Sequence, residues 1–238
     1  GLVSDDIFRL KKFPKEIIIV GAGFIACEFA CIFNNLGVKV RQLIRGDNLL
    51  RDFDNDLSKL LQKKMEDDGI QLHFKTAPAS IEKEYQSLIV KTTNTEIFKS
   101  ETILFATGRS PKLNGMKLEN AGIALNQNRI STDVYQRTNV PNIYAVGDVT
   151  NQINLTPVAI DEGRAFADTV YGNKPRTVNY DFVPKAVFSQ PEIASVGLSE
   201  QQANELYGTP GIQIYKAKFR PMSKSIPKAD GLCLLKLV

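Results

Sequence analysis

The sequence predicts an α/β fold built on a parallel sheet, with an α+β segment toward the C-terminus. Three observations carry this. The short apolar run Glu16-Ile-Ile-Ile-Val20 is followed by a glycine break and then by helical spacing, the order of a buried parallel strand feeding a crossover helix. The strand–helix alternation continues through residue 75. Beyond residue 176, strand-like runs and one helix follow without that regular alternation.

Each element has a local reason. From Phe24 to Leu36, the apolar residues Ile25, Phe29, Ile32, Phe33 and Leu36 recur at helical spacing, and Gly37 stands where a C-terminal cap belongs. Val38 to Ile44 reads as the second strand. Asn55 to Asp68 reads as a helix with Leu57, Leu60, Leu61 and Met65 on one face, closed by Glu66-Asp67-Asp68 and then Gly69. Ile70-Gln-Leu-His-Phe74 alternates as a third strand, and His73 falls on its polar side, where a solvated histidine is expected. Shorter runs in 78–107, including Ser87-Leu-Ile-Val-Lys91, suit an antiparallel meander that ends in the buried strand Thr102-Ile-Leu-Phe-Ala106. After Gly108-Arg109-Ser-Pro111 the texture turns to loops. Asn142-Ile-Tyr-Ala-Val146 predicts another buried strand, and a helix follows from about Pro157 to Tyr171. Asn173-Lys-Pro-Arg176 is a boundary signal. Past it, Val187-Phe188, Ile212-Gln-Ile-Tyr215 and Leu232-Cys-Leu-Leu235 read as strands, with a helix near Ser199–Leu206.

Composition narrows the function classes. The 238 residues are 43% hydrophobic and 24% charged, which excludes a disordered, collagen-like or coiled-coil chain. One histidine and three cysteines suit neither a multi-ligand zinc site nor a disulfide-stapled scaffold, so no metal is expected. Few cysteines and an N-terminus without a signal-peptide pattern suit a reducing compartment such as the cytoplasm. The longest apolar stretch, Ile17 to Phe33, holds Glu28 and two glycines and falls short of the roughly 20 apolar residues of a membrane span. The net charge of +4 comes wholly from residues 174–238, with nine basic and five acidic side chains. The basic tail Lys216, Lys218, Arg220, Lys224, Lys228 has few aromatics between its charges and reads as a solvated face rather than a nucleic-acid patch. The chain begins at Gly1 and stops on the apolar run Gly231–Val238 with nothing after it to pair, an unusual edge that suggests a piece of a longer polypeptide.

The first turn carries the chemistry. Gly21-Ala-Gly23-Phe-Ile-Ala26 fits G-x-G-x-x-G/A in the required strand–turn–helix context. The first glycine permits the tight turn, the second lets backbone approach a pyrophosphate, and Ala26 allows close helix–strand packing. Gly21, Ala22, Gly23 and Ile25 are the candidate cofactor-binding residues of this turn, with the free N–H groups of the helix start presented to the anion. At the end of the second strand, NAD-binding units carry an acidic residue for the ribose hydroxyl. Here Ile44 holds that place, Arg45 follows, and Arg51 comes six residues later. Two guanidiniums and no repelling carboxylate suit the 2′-phosphate of NADP. The alternative is a pair of surface arginines balanced by Asp47 and Asp52. Cys27 and Cys31, four residues apart inside a helix, read as small apolar packing residues rather than a redox pair.

Five stretches together resemble the pyridine nucleotide–disulfide oxidoreductases: Gly21-Ala-Gly-Phe-Ile-Ala-Cys-Glu28, Leu43-Ile-Arg-Gly-Asp-Asn-Leu-Leu-Arg-Asp-Phe-Asp54, Ala106-Thr-Gly-Arg109, Ile143-Tyr-Ala-Val-Gly-Asp148 and Leu155-Thr-Pro-Val-Ala-Ile160. The second stretch is most similar to the glutathione reductase branch, with the trypanothione and large thioredoxin reductases close behind. The resemblance implies a Rossmann-like NADPH-binding domain over residues 1–112, a three-layer ββα/FAD-domain remnant over 113–176, and the start of an incomplete α+β dimerisation domain over 177–238. It implies two catalytic-site residues. Phe24 stands where a tyrosine usually covers the flavin, and Glu28 matches a glutamate near the nicotinamide that pairs with a lysine outside this chain. It further implies that Arg45 and Arg51 hold the 2′-phosphate, that Gly108 lies beside the cofactor, and that Asp148 binds the FAD ribityl chain. Thr156 and Pro157 read as an N-cap and an N1 proline, and the resemblance turns that helix start toward the flavin pyrimidine edge.

The implied activity is passage of hydride from NADPH through FAD to a redox disulfide, with glutathione disulfide as the expected substrate and a homodimer as the expected assembly. The implied first FAD fingerprint, the C-x-x-x-x-C pair and the His-Pro acid/base are not in this sequence, so the chain alone is expected to be inactive. Two other readings stand beside this one: another branch of the family, a trypanothione or thioredoxin reductase or a flavoprotein transhydrogenase, and a nucleotide-binding module without chemistry.

Overall fold

A computed structural model describes residues 1–150, 153–225, 231 and 233–238. The chain forms two compact units, one of Gly1–Gly108 with Phe182–Val238, the other of Arg109–Asp181.

In the first unit, a short helix α1 (Ser4–Ile7) precedes β1 (Glu16–Val20), α2 (Phe24–Asn35), β2 (Lys39–Leu43), α3 (Asn55–Asp67) and β3 (Gln71–His73). The antiparallel meander β4 (Pro78–Glu84), β5 (Ser87–Thr92), β6 (Ile97–Ser100) then leads to β7 (Thr102–Phe105). The parallel sheet has the order β3-β2-β1-β7, which puts β1 inside it. Burial on both faces explains the unbroken Ile-Ile-Ile-Val run. Ile17 and Ile19 pack with Ala26, Cys27, Ala30 and Phe33 of α2, while Ile18 and Val20 pack with Val90 of the meander and Ile103. The helix ends as its sequence implies. Gly37 and Val38 donate to Asn34 O and Phe33 O, which satisfies carbonyls of the last turn.

That meander corrects one expectation. His73 is half-buried rather than solvated. The face it occupies is covered, its ring meets Phe98 edge-on at a centroid distance of 4.6 Å, and its Nε2 is buried without a partner. Burial lowers its pKa from the ordinary histidine value.

The second unit holds a two-residue hairpin, β8 (Leu125–Asn126) with β9 (Arg129–Ile130), and the helix α4 (Thr156–Val170). Asn142–Val146 is not a strand. Tyr144 makes one isolated bridge to Arg137, and Ala145 alone of the five is buried; among the described residues the run joins no sheet. Thr156 is not the N-cap either. Leu155 holds that position without a side-chain cap bond, and Thr156 and Pro157 occupy the first turn.

The C-terminal part of the first unit contains β10 (Lys185–Val187), β11 (Ile193–Ser195), α5 (Glu200–Tyr207), β12 (Tyr215–Phe219), α6 (Met222–Ser225) and β13 (Cys233–Leu237). Ser199 caps α5 through the Gln202 N–H, with Gln202 returning the bond. The strand expected at Ile212–Tyr215 begins instead at Tyr215, since Ile212 ends a 3₁₀ turn. β13 is not left unpaired: it returns antiparallel onto β12. Of the expected strand Leu232–Leu235 and the basic tail, Leu232 and Lys228 lie outside the described residues.

Candidate nucleotide-binding site

The site is built where β1 gives way to α2. Gly21 has φ +140°, and a Cβ there would lie 2.3 Å from the Ala106 carbonyl oxygen at the end of β7. No other residue fits this position. Gly21 donates to Leu43 O, and its own carbonyl accepts from Gln42 Nε2 at 2.9 Å. Gln42 is fully buried, and sequence reading missed it; the one signal was a polar residue amid an apolar strand. Gly23 is the N-cap of α2 with no side-chain cap bond, and a Cβ there would meet nothing within 4 Å. The first-turn N–H groups of Phe24, Ile25 and Ala26 precede the intrahelical ladder. Gly108 likewise borders open space. A closed turn beneath an open cradle fits a pyrophosphate.

The loop after β2 is pinned to this turn. Ile44 O and Gly46 O accept from Thr76 and Lys75, one bond on each side of Arg45. Leu50 donates to Ala22 O at 2.8 Å, which ties the stretch next to Arg51 onto the glycine turn. Ile44, Leu49 and Leu50 are buried, whereas Arg45 and Arg51 are exposed. Among the described residues neither arginine makes an ion pair. Asp47 pairs with Lys75 instead, at 3.0 Å. The balance of Arg45 and Arg51 by Asp47 and Asp52 is therefore not what forms. Two unpaired guanidiniums on an anchored loop fit a phosphate.

Phe24 opens α2 and is 46% exposed. Glu28 lies one turn on, and its Oε1 accepts the Phe188 N–H at 2.8 Å. Cys27 and Cys31 are buried free thiols. Burial pushes the Cys27 thiol up to about 12 and raises that of Cys31, the reverse of a reactive thiolate.

In the second unit, Asp148 is exposed on the 3₁₀ turn Gly147–Val149. Gly147 has φ +74°, and a Cβ there would stand 3.2 Å from the Ala159 Cβ of α4, so the turn sits against the helix. The buried Glu162 accepts the Gly147 N–H at 2.5 Å and the Tyr180 hydroxyl at 2.9 Å. Thr156 is exposed in the first turn of α4. A carboxylate on a fixed turn beside an open helix start suits hydroxyl and carbonyl groups of a flavin. Among the described residues no cluster of metal-ligating side chains forms, and no helix is long and apolar enough to cross a membrane.

Residues 2–163 match the family model of the pyridine nucleotide-disulphide oxidoreductases, and residues 183–238 match the model of that family's dimerisation domain. A glutathione reductase of Burkholderia cepacia is 47% identical over 238 residues, 100% of this chain and 53% of its own length. One from Nostoc is 40% identical over 251 residues, 100% of this chain and 55% of its own. The HOCl-induced flavoprotein disulfide reductase RclA of Escherichia coli superposes with a TM-score of 0.88 at 28% identity, covering 99% of this chain and 54% of that one. The chain thus spans about half the length of the curated relatives it matches.

Proposed function

The chain belongs to the pyridine nucleotide-disulphide oxidoreductase family, and from that premise we propose that it is the NADPH-binding and dimerisation part of a flavoprotein disulfide reductase of the glutathione reductase type. When bound, NADPH supplies hydride and FAD relays the electrons to a disulfide. This chain's own residues bind and orient. Gly21, Ala22, Gly23 and Ile25 form the pyrophosphate cradle, and Gly108 leaves room beside it. Arg45 and Arg51 take the 2′-phosphate. Phe24 covers the nicotinamide site as an aromatic lid without a hydroxyl. Glu28 is held by the Phe188 N–H through one oxygen, which leaves Oε2 for a cation. Asp148 takes the ribityl hydroxyls, and Thr156 opens the helix that faces the pyrimidine edge.

Domain limits of 1–112, 113–176 and 177–238, a homodimer, a cytoplasmic setting and glutathione disulfide as substrate complete the proposal. The names of the relatives support the substrate. The match of 183–238 supports the dimer.

The observation that carries the nucleotide choice is that Arg45 and Arg51 make no ion pair among the described residues and stand on a loop anchored at Ala22. Each charge-assisted bond to the phosphate is worth about 1.5–3 kcal/mol. Calorimetric titration of the chain should show NADP⁺ bound well ahead of NAD⁺, and Arg45→Ala/Arg51→Ala should erase the difference. Equal affinities in the unmodified chain would sink the assignment.

A further inference from the structure

The first unit contains an ionic cluster to which the proposed function assigns no role. Lys236, on β13, has a side chain only 4% exposed. Its Nζ lies 2.7 Å from both Asp54 oxygens, 2.7 Å from Asp56 Oδ2 and 2.6 Å from Glu200 Oε2. Lys216 adds a second cation on the exposed side, 2.7 Å from Asp56 and 3.8 Å from Glu200. Two cations thus face three carboxylates.

Asp54 is the centre of the cluster, and it is also the end of the arginine loop. It caps α3 by accepting the Asp56 N–H at 2.9 Å, and it accepts the Glu200 N–H at 3.0 Å. Burial opposes its ionisation, but Lys236 and the two N–H donors outweigh that and hold its carboxyl below the usual range. Three residues before it stands Arg51. One residue before Arg51, Leu50 is fastened to the glycine turn through Ala22 O. Arg51 therefore lies on a short stretch with one anchor at the nucleotide cradle and the other at Lys236.

We propose that Lys236 is a positioning residue for recognition of the nucleotide 2′-phosphate, fixing the Asp54 end of the loop so that Arg51 presents its guanidinium to the anion. This rests on the NADP reading above. Lys236 does not touch the nucleotide. It acts through Asp54 in two ways. It fixes the stretch that carries Arg51, so less ordering is left to the binding step. It also neutralises Asp54, which without a partner would compete with the phosphate for Arg51.

The test compares the unmodified chain with Lys236→Met, Lys236→Arg and the charge-balanced Lys236→Met/Glu200→Gln, which keeps the wild-type net charge of the cluster. Affinities for NADP⁺ and NAD⁺ are measured by calorimetry beside melting temperatures. Lys236→Met should weaken NADP⁺ about tenfold, the size of one lost charge-assisted bond, and leave NAD⁺ within about twofold. Lys236→Arg should recover most of the preference. In the Arg45→Ala/Arg51→Ala background, Lys236→Met should have no further effect on NADP⁺. A proportional loss of both nucleotides, or an unchanged preference in a folded variant, would overturn the inference. Should Lys236→Met fail to fold, the charge-balanced variant is judged by the same outcomes. A wild-type chain that does not prefer NADP⁺ would instead remove the underlying reading.

Discussion

Gly21 and Gly23 look alike in the sequence and do opposite work in the structure. At Gly21 the backbone is left-handed and a methyl group would strike the Ala106 carbonyl. Gly21→Ala should therefore cost about 3 kcal/mol of stability from backbone strain and displacement of β7. At Gly23 a methyl group meets only open space. Gly23→Ala should leave stability within about 1 kcal/mol, the scale of a changed N-cap. It should nonetheless weaken nucleotide binding, because the Cβ enters the space reserved for the pyrophosphate. Thermal melts and nucleotide titrations on both variants check this; loss of stability at Gly23, or none at Gly21, would contradict it. The fingerprint's location was legible because glycine spacing after a strand encodes backbone geometry directly. Gln42 was not, because a single buried amide leaves no periodic trace. The free state of Arg45 and Arg51 was half legible. The sequence shows Arg45, Arg51, Asp47 and Asp52 close together in one loop, but only the fold shows that Asp47 is taken by Lys75.

At the scale of elements, periodicity served well where burial was complete or one-sided. It found β1, α2, β2, α3 and the meander. It failed at Asn142–Val146, where the apolar run makes one isolated bridge and, among the described residues, joins no sheet. It also failed at His73, where alternation gave the correct face of β3 but not what covers that face. The covered histidine has a consequence for pH. Its pKa is lowered by burial from 6.5, so the folded state resists the proton that the unfolded state accepts. Stability is full above about pH 6.5 and is lost as pH falls through the folded-state value. His73→Phe keeps an aromatic edge against Phe98 and removes the proton. The unmodified chain should lose melting temperature between pH 7 and pH 5, and His73→Phe should lose clearly less over the same interval. Parallel curves would show that His73 does not titrate against folding.

At the scale of the whole first unit, the described residues of 182–238 meet 1–108 at two patches of different chemistry. One is at α2, where Glu28 and Asn35 bond Phe188 and Gln190 while Val187 and Ile193 join the core. The other is the cluster of Lys236, Lys216, Asp54, Asp56 and Glu200. Acid acts unequally on the two. Hydrogen bonds from Lys216 and then Lys236 hold Asp56 down to about 2, and Asp54 is lowered too. Carboxylates with depressed folded pKa values stabilise above their unfolded values and lose that contribution as pH falls through the folded ones. The window runs from about pH 4 to about pH 2. Lys236 is shifted upward, so its own titration lies at alkaline pH and leaves the acid limb to the carboxylates. Acid should therefore release α5, β12 and β13 while β10 and β11 stay on the apolar core. Hydrogen exchange corrected for intrinsic rates should rise first at 200–207, 215–219 and 233–237 as pH falls through that window. Asp54→Asn/Asp56→Asn should show the same segments already loosened at pH 7, with Lys236 left buried and short of its anions. Simultaneous opening of β10 with β13, or no change in the Asn variant, would mean that the apolar patch rather than the ionic one holds this end of the molecule in place.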